Sequence, residues 1–127
     1  MGNDIFGMHK HHIVFKSQGG LDFPLNLVEL TMEEHLGNSG PHLNSDRDKE
    51  LKLNLQNQLW GLFPEDGLFT IEEISERLGR TERYFEPHFR KVPLTEGKYR
   101  GYDIVKKLMG GKFVAVPQDC VSHTAWK

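Results

Sequence analysis

The chain has 127 residues, of which 37% are hydrophobic and 27% charged. That suits a globular protein of one ordinary domain or two small ones, and no apolar run reaches membrane-spanning length. The formal net charge of −2 gives no overall pull toward a polyanion, and the single cysteine, Cys120, excludes an internal disulfide or a cysteine-based zinc finger.

The opening MGNDIFGMHK lacks the basic start and apolar stretch of a secretory signal, so a cytoplasmic protein is expected. Three histidines, His9, His11 and His12, then crowd against Ile13-Val14-Phe15. The β-branched and aromatic run predicts a strand over 13–15. Ser17 to Gly20 reads as a turn, and Asn26 to Leu30 alternates like a second short strand. Thr31-Met-Glu-Glu34 has the spacing of a capping box, so a helix carrying His35 is predicted there, stopped by Gly37 to Pro41.

Asn44 or Ser45 can cap the next helix, with Asp46 and Asp48 placed favourably against its N-terminal dipole. Leu51, Leu55, Leu59 and Leu62, widened by Leu53 and Trp60, give it one apolar stripe. Residues 63–67 form a short linker. Thr70 and Glu73 repeat the capping signature ahead of a helix that runs to Gly79 with Ile71, Ile74 and Leu78 on one side. A short helix from Thr81 is limited by Pro87. A further helix covers 102–109, Gly110-Gly111 ends it, and 113–116 reads as a strand or extended tail. The fold class is therefore α+β. Residues 1–63 are expected to form one unit and 64–127 a small, helical, helix-turn-helix-like second unit.

Charge is unevenly spread. Residues 80–112 hold nine Lys or Arg and four acids, +5 in all, against −7 for the remainder. A polyanion is drawn to that part, although a solvated basic face explains the charge equally well. Lys16, Arg80, Arg83, Arg90 and Lys91 are the candidate phosphate contacts, with Lys16 better read as a solvated lysine. Binding of this kind is mostly electrostatic and weakens steeply with salt.

A strand with adjacent histidines, a loop, a strand with an asparagine and a helix with a histidine can together build a metal site. Side chains alternate along a strand, so His11 and His12 face opposite ways and divide the work. Neutral imidazole is a common ligand of divalent transition metals.

His11-His12-Ile13, Gly19-Gly20, Asn26-Leu27-Val28 and His35, with nine positions from Asn26 to His35, resemble the HNH endonuclease motif, the ββα-metal fold. Gly40-Pro41-His42 and the phrase from Asp103-Ile104 to Leu108-Met109-Gly110-Gly111 are similar to small phage-encoded members. The resemblance spans about residues 11–42 and departs in two ways. The paired CxxC motifs of many members are absent, and His11 stands where an aspartate is often found.

The resemblance implies a metal-dependent DNA endonuclease that hydrolyses a phosphodiester with one divalent ion, Mg2+, Mn2+, Ni2+ or Zn2+. It implies a ββα-metal core followed by a long packing helix. His12 would be the general base, since imidazole ordinarily titrates at about 6.5 and its neutral form can take a proton from water. His11 and His35 would hold the ion, and His42 would join them, bond a phosphate or be a plain loop residue. Asn26 would either ligate the ion or hold the loop. DNA is the implied partner, with phage packaging (terminase) components beside it, in a phage-infected or prophage-carrying bacterial host, as monomer or homodimer. Two other readings stay open. One is a helix-turn-helix DNA-binding protein with a structural metal and no cleavage. The other is a nuclease-like fold that binds branched or damaged DNA without cutting it.

Overall fold

The computed structural model describes residues 8–31 and 45–115. The expected helix carrying His35, the Gly40-Pro41-His42 phrase and residue 116 of the expected tail lie outside the described residues.

The first hairpin pairs β1 (Met8–His12) with β2 (Leu27–Thr31), antiparallel, with His11 opposite Val28 and His12 opposite Leu27. The strand predicted at 13–15 therefore lies one segment earlier, and the second strand starts at Leu27 rather than Asn26. The reason is where the backbone groups find partners. Ile13 and Val14 are buried, but Val14 is bonded by the Asn26 side chain rather than by a neighbouring strand. Its apolar run enters the core as a loop. Two short 3-10 turns, Lys16–Gln18 and Pro24–Asn26, shape the connection between the strands.

Helix α1 (Ser45–Leu62) follows, with Leu55 and Leu59 buried and Leu51, Trp60 and Leu62 packed partly against the core. Gln56 shares the buried face, and its side chain does the work of a β-ladder. Its amide donates to the Val114 carbonyl at 3.2 Å and its oxygen accepts from the Val114 N–H at 2.8 Å. Residues 113–115 belong to no strand.

Helix α2 (Ile71–Leu78) starts at Thr70, whose hydroxyl accepts from the Glu73 N–H while the Glu73 carboxylate accepts from the Thr70 N–H at 2.8 Å. That backbone donor is the main reason the Glu73 carboxyl lies below its usual pKa. Gly79 ends the helix in the left-handed region at φ 79°. Helix α3 (Glu82–Phe85), capped by Thr81, lasts one turn and passes into a 3-10 turn at Glu86–Phe89 that accommodates Pro87.

A two-residue ladder joins β3 (Leu68–Phe69) to β4 (Tyr99–Arg100), and α4 (Gly101–Leu108) leaves directly from it. Neither short strand shows in the sequence, because two residues carry no detectable alternation. Gly101 is required at this junction, since a Cβ there would lie 1.8 Å from the Pro64 carbonyl oxygen.

The described residues form an α+β arrangement of helices and two small antiparallel sheets. Phe23 and Val14 from the hairpin loop, Leu55, Leu59 and Phe63 from α1 and its end, and Phe85, Phe89, Ile104 and Leu108 beyond share one apolar core. The core thus draws on residues on both sides of position 63. Among the described residues, no helix is long and apolar enough to cross a membrane.

Candidate active site

Strand alternation sends the neighbouring histidines to different surroundings. His11 is 2% exposed, with the Phe15 ring edge-on to it at 5.3 Å. His12 keeps 24% of its side chain exposed, and its Nε2 lies 2.5 Å from Asp22 Oδ1. Asp22 sits in the loop between the Gly-Gly turn and β2. Its carboxyl is held below the usual carboxylate value, chiefly by the hydrogen bond from His12. Partial burial acts in the opposite direction, and the nearby charges of Lys16, His12 and Arg80 lower it further. An ionised carboxylate only accepts, so Nε2 is the donor of this bond. In the neutral form of the ring, a donor at Nε2 leaves the lone pair on Nδ1, which makes no hydrogen bond among the described residues.

Asn26 is fully buried and spends its amide on the loop that carries Asp22. Its Oδ1 accepts from the Val14 N–H at 2.8 Å. Its Nδ2 donates to the Val14 carbonyl at 3.2 Å and the Leu21 carbonyl at 2.8 Å. Both N–H donors of the amide are thereby committed. The Ile13 N–H donates to the Asn26 carbonyl at 2.8 Å, so the same residue anchors the end of β1 right after His12. Gly20 closes the loop with an N–H bond to the Phe15 carbonyl. A Cβ on Gly20 would meet the Val14 carbonyl oxygen at 1.8 Å.

Lys16 stands at the rim, 67% exposed, with Nζ 3.8 Å from Asp22 Oδ2. Arg80 also reaches this loop. Its Nη1 donates to the Asp22 carbonyl at 3.0 Å, and its guanidinium lies 3.9 Å from the Tyr84 ring centre. Arg83, Arg90 and Lys91 are exposed. His35 and His42 lie outside the described residues. Among the described residues, no three His, Cys, Asp or Glu side chains converge as a metal-binding group.

The arrangement therefore brings His12, Asp22, Lys16 and Arg80 together, with Asn26 directly behind them in the core. Sequence reading missed two members, Asp22 and Tyr84. Asp22 had a faint signal: it is the lone carboxylate between the two hairpin strands' apolar runs. Tyr84 had none, as its contact spans 62 positions. Chemically, the pair can take a proton at Nδ1 and stabilise the resulting imidazolium through the carboxylate. No protein-family model, curated protein or solved structure matches the chain.

Proposed function

We propose that the chain is a metal-dependent DNA endonuclease of the HNH, ββα-metal type, with His12 as general base. The observation that carries this reading is the His12–Asp22 pair. It fixes the donor nitrogen of the ring and leaves the other nitrogen for a water molecule. In the reaction His12 Nδ1 removes a proton from water as its oxygen bonds to phosphorus, opposite the 3′ oxygen. The bond from phosphorus to that oxygen breaks, and the leaving group takes up a proton. Asp22 offsets the charge that His12 acquires, and Lys16 adds a cation on the approach side. The committed amide of Asn26 supports its role as the residue that holds the loop.

His11, His35 and His42 are the residues that would hold the divalent ion. Imidazole donors fit Ni2+ or Zn2+ better than Mg2+ or Mn2+, which favour oxygen. When bound, such an ion stabilises negative charge on the phosphate oxygens of the transition state. Arg83, Arg90 and Lys91, exposed around α3, supply the electrostatic attraction for the DNA backbone.

Nicking of supercoiled plasmid with Mg2+, Mn2+, Ni2+ or Zn2+ tests the proposal. Wild type converts the plasmid to open circle. His12→Ala loses about 100- to 10,000-fold in rate and still shifts DNA in a gel. Equal cutting by His12→Ala removes the base assignment. Wild type that shifts DNA and never cuts with any of the four ions leaves the DNA-binding reading with a structural metal.

A further inference from the structure

Asp22 is gripped at both ends of its own backbone by the C-terminal part of the chain. Its N–H donates to Tyr84 Oη at 2.7 Å, and its carbonyl accepts from Arg80 Nη1 at 3.0 Å. The two gripping side chains also hold each other, with the Arg80 guanidinium stacked 3.9 Å from the Tyr84 ring centre. We infer that Arg80 and Tyr84 are positioning residues that clamp the Asp22 peptide and through it set the orientation of the His12 ring.

The clamp is built on fixed supports. Thr81 Oγ1 accepts from the Tyr84 N–H at 3.1 Å, which sets the start of α3. The next residue, Phe85, is fully buried and packs edge-on to the Tyr84 ring at 5.1 Å, so Tyr84 cannot swing away without disturbing the core. Gly79, in the left-handed region, brings the α2–α3 turn against the hairpin: a Cβ at this position would lie 3.5 Å from Pro24 Cγ. Pro24, two positions after Asp22, thus lies against the turn that precedes Arg80.

The consequence is geometric. With both peptide groups of Asp22 held, its side-chain rotation is the main freedom left to the carboxylate. That carboxylate is the one partner that fixes the His12 ring among the described residues. Loss of the clamp frees the loop to shift, and a displacement of about 1 Å at a reacting group can cost on the order of 100-fold in rate. Arg80 is exposed like Arg83, but on this view its Nη1 is occupied with the protein's own backbone.

This inference rests on the reading of His12 as the base, so the test has one readout that needs no DNA. In 15N-labelled full-length protein, the Nε2–H of His12 should give a far-downfield, slowly exchanging imidazole resonance, assigned by its absence in His12→Ala. Tyr84→Phe removes one oxygen and Arg80→Ala removes the other half of the grip. Both should broaden or erase that resonance with the backbone amide dispersion kept, and both should lower kcat for nicking about 10- to 100-fold with little change in KM. Arg83→Ala should raise KM and leave the resonance intact. A sharp, unshifted resonance in Tyr84→Phe overturns the clamp, whether or not Arg80→Ala remains folded. If His12→Ala abolishes nicking while Tyr84→Phe keeps its kcat, the nuclease reading stands and the clamp falls. If the resonance responds but wild type never nicks, the clamp stands and the nuclease reading falls.

Discussion

Asn26→Ala isolates the contribution of the buried amide behind the site. The substitution deletes three hydrogen bonds to Val14 and Leu21 and leaves their partners in a region where Val14 is 1% and Leu21 5% exposed. A typical intramolecular hydrogen bond contributes about 1 kcal/mol net, and a buried group left unpaired costs about 1–3 kcal/mol. Water entering the vacated space relieves part of that, so the expected loss is about 3–5 kcal/mol. Domains of this kind are stable by only about 5–15 kcal/mol, so the variant should be close to unfolding. Urea denaturation followed by circular dichroism should show the midpoint falling by roughly 2 M, for a slope of about 2 kcal/mol/M. Asn26→Asp sharpens the test. It keeps an acceptor, loses both N–H donors, and sets a negative oxygen against the Val14 and Leu21 carbonyls. The introduced carboxyl should therefore have a raised folded-state pKa, and the variant should regain stability as pH is lowered toward that value. An Asn26→Ala midpoint within about 0.3 M of wild type would refute the reasoning. A folded Asn26→Ala protein whose Ni2+ affinity collapses by calorimetry would return Asn26 to the ligand set.

Two further outcomes are expected. Gly20→Ala forces a Cβ to within 1.8 Å of the Val14 carbonyl oxygen and should prevent stable folding, whereas Gly61→Ala, in α1 with nothing within 4 Å, should raise stability by about 0.5–1 kcal/mol. A thermal melt of the pair decides this, and equal melting temperatures would contradict the loop geometry. Asp22→Asn should be less stable than wild type at neutral pH by no more than about 1 kcal/mol, as the pair is partly exposed. The folded Asp22 carboxyl lies below its unfolded value, so the ionic part of its contribution is complete above the unfolded pKa and is lost as pH falls through the folded one. The gap between the urea midpoints of the two proteins should therefore be smaller at pH 3 than at pH 7, and a gap that widens in acid would reverse the sign.

Features set by neighbours in sequence were legible. The Thr70–Glu73 box, the Gly79 stop, the leucine stripe of α1 and the span of α4 each depend on residues within one or two turns. The opposite facing of His11 and His12 follows from strand alternation alone. The strand at 13–15 misled because Ile13, Val14 and Phe15 have the composition of a strand. The Val14 backbone groups are nevertheless met by one asparagine side chain 12 positions away, the Ile13 N–H by the carbonyl of that asparagine, and the Phe15 N–H by the Gln18 side chain. Asp22 and Tyr84 were illegible for the same kind of reason: a loop carboxylate chooses its partner only after the loop is packed. A substitution of a buried glutamine for a ladder, as between Gln56 and Val114, also leaves no periodic trace.

The two glycine pairs show how far the site depends on distant chain. Gly19 and Gly110 both adopt positive φ, which glycine tolerates at no steric cost. A Cβ on Gly19 would stand 3.4 Å from the Gly110 Cα, and one on Gly110 would stand 2.2 Å from the Gln18 carbonyl oxygen. The end of α4 therefore touches the hairpin loop backbone to backbone, at a separation no larger residue permits. The loop is thus held from three directions: by Gly110 at its turn, by Asn26 from the core, and by Arg80 and Tyr84 at Asp22. A two-stranded hairpin alone is marginal in water, and no cysteine-bound zinc is available to brace it. Its support comes from helices encoded 50 to 90 positions later, which explains how a hairpin of five-residue strands can hold an imidazole and a carboxylate in a fixed relation.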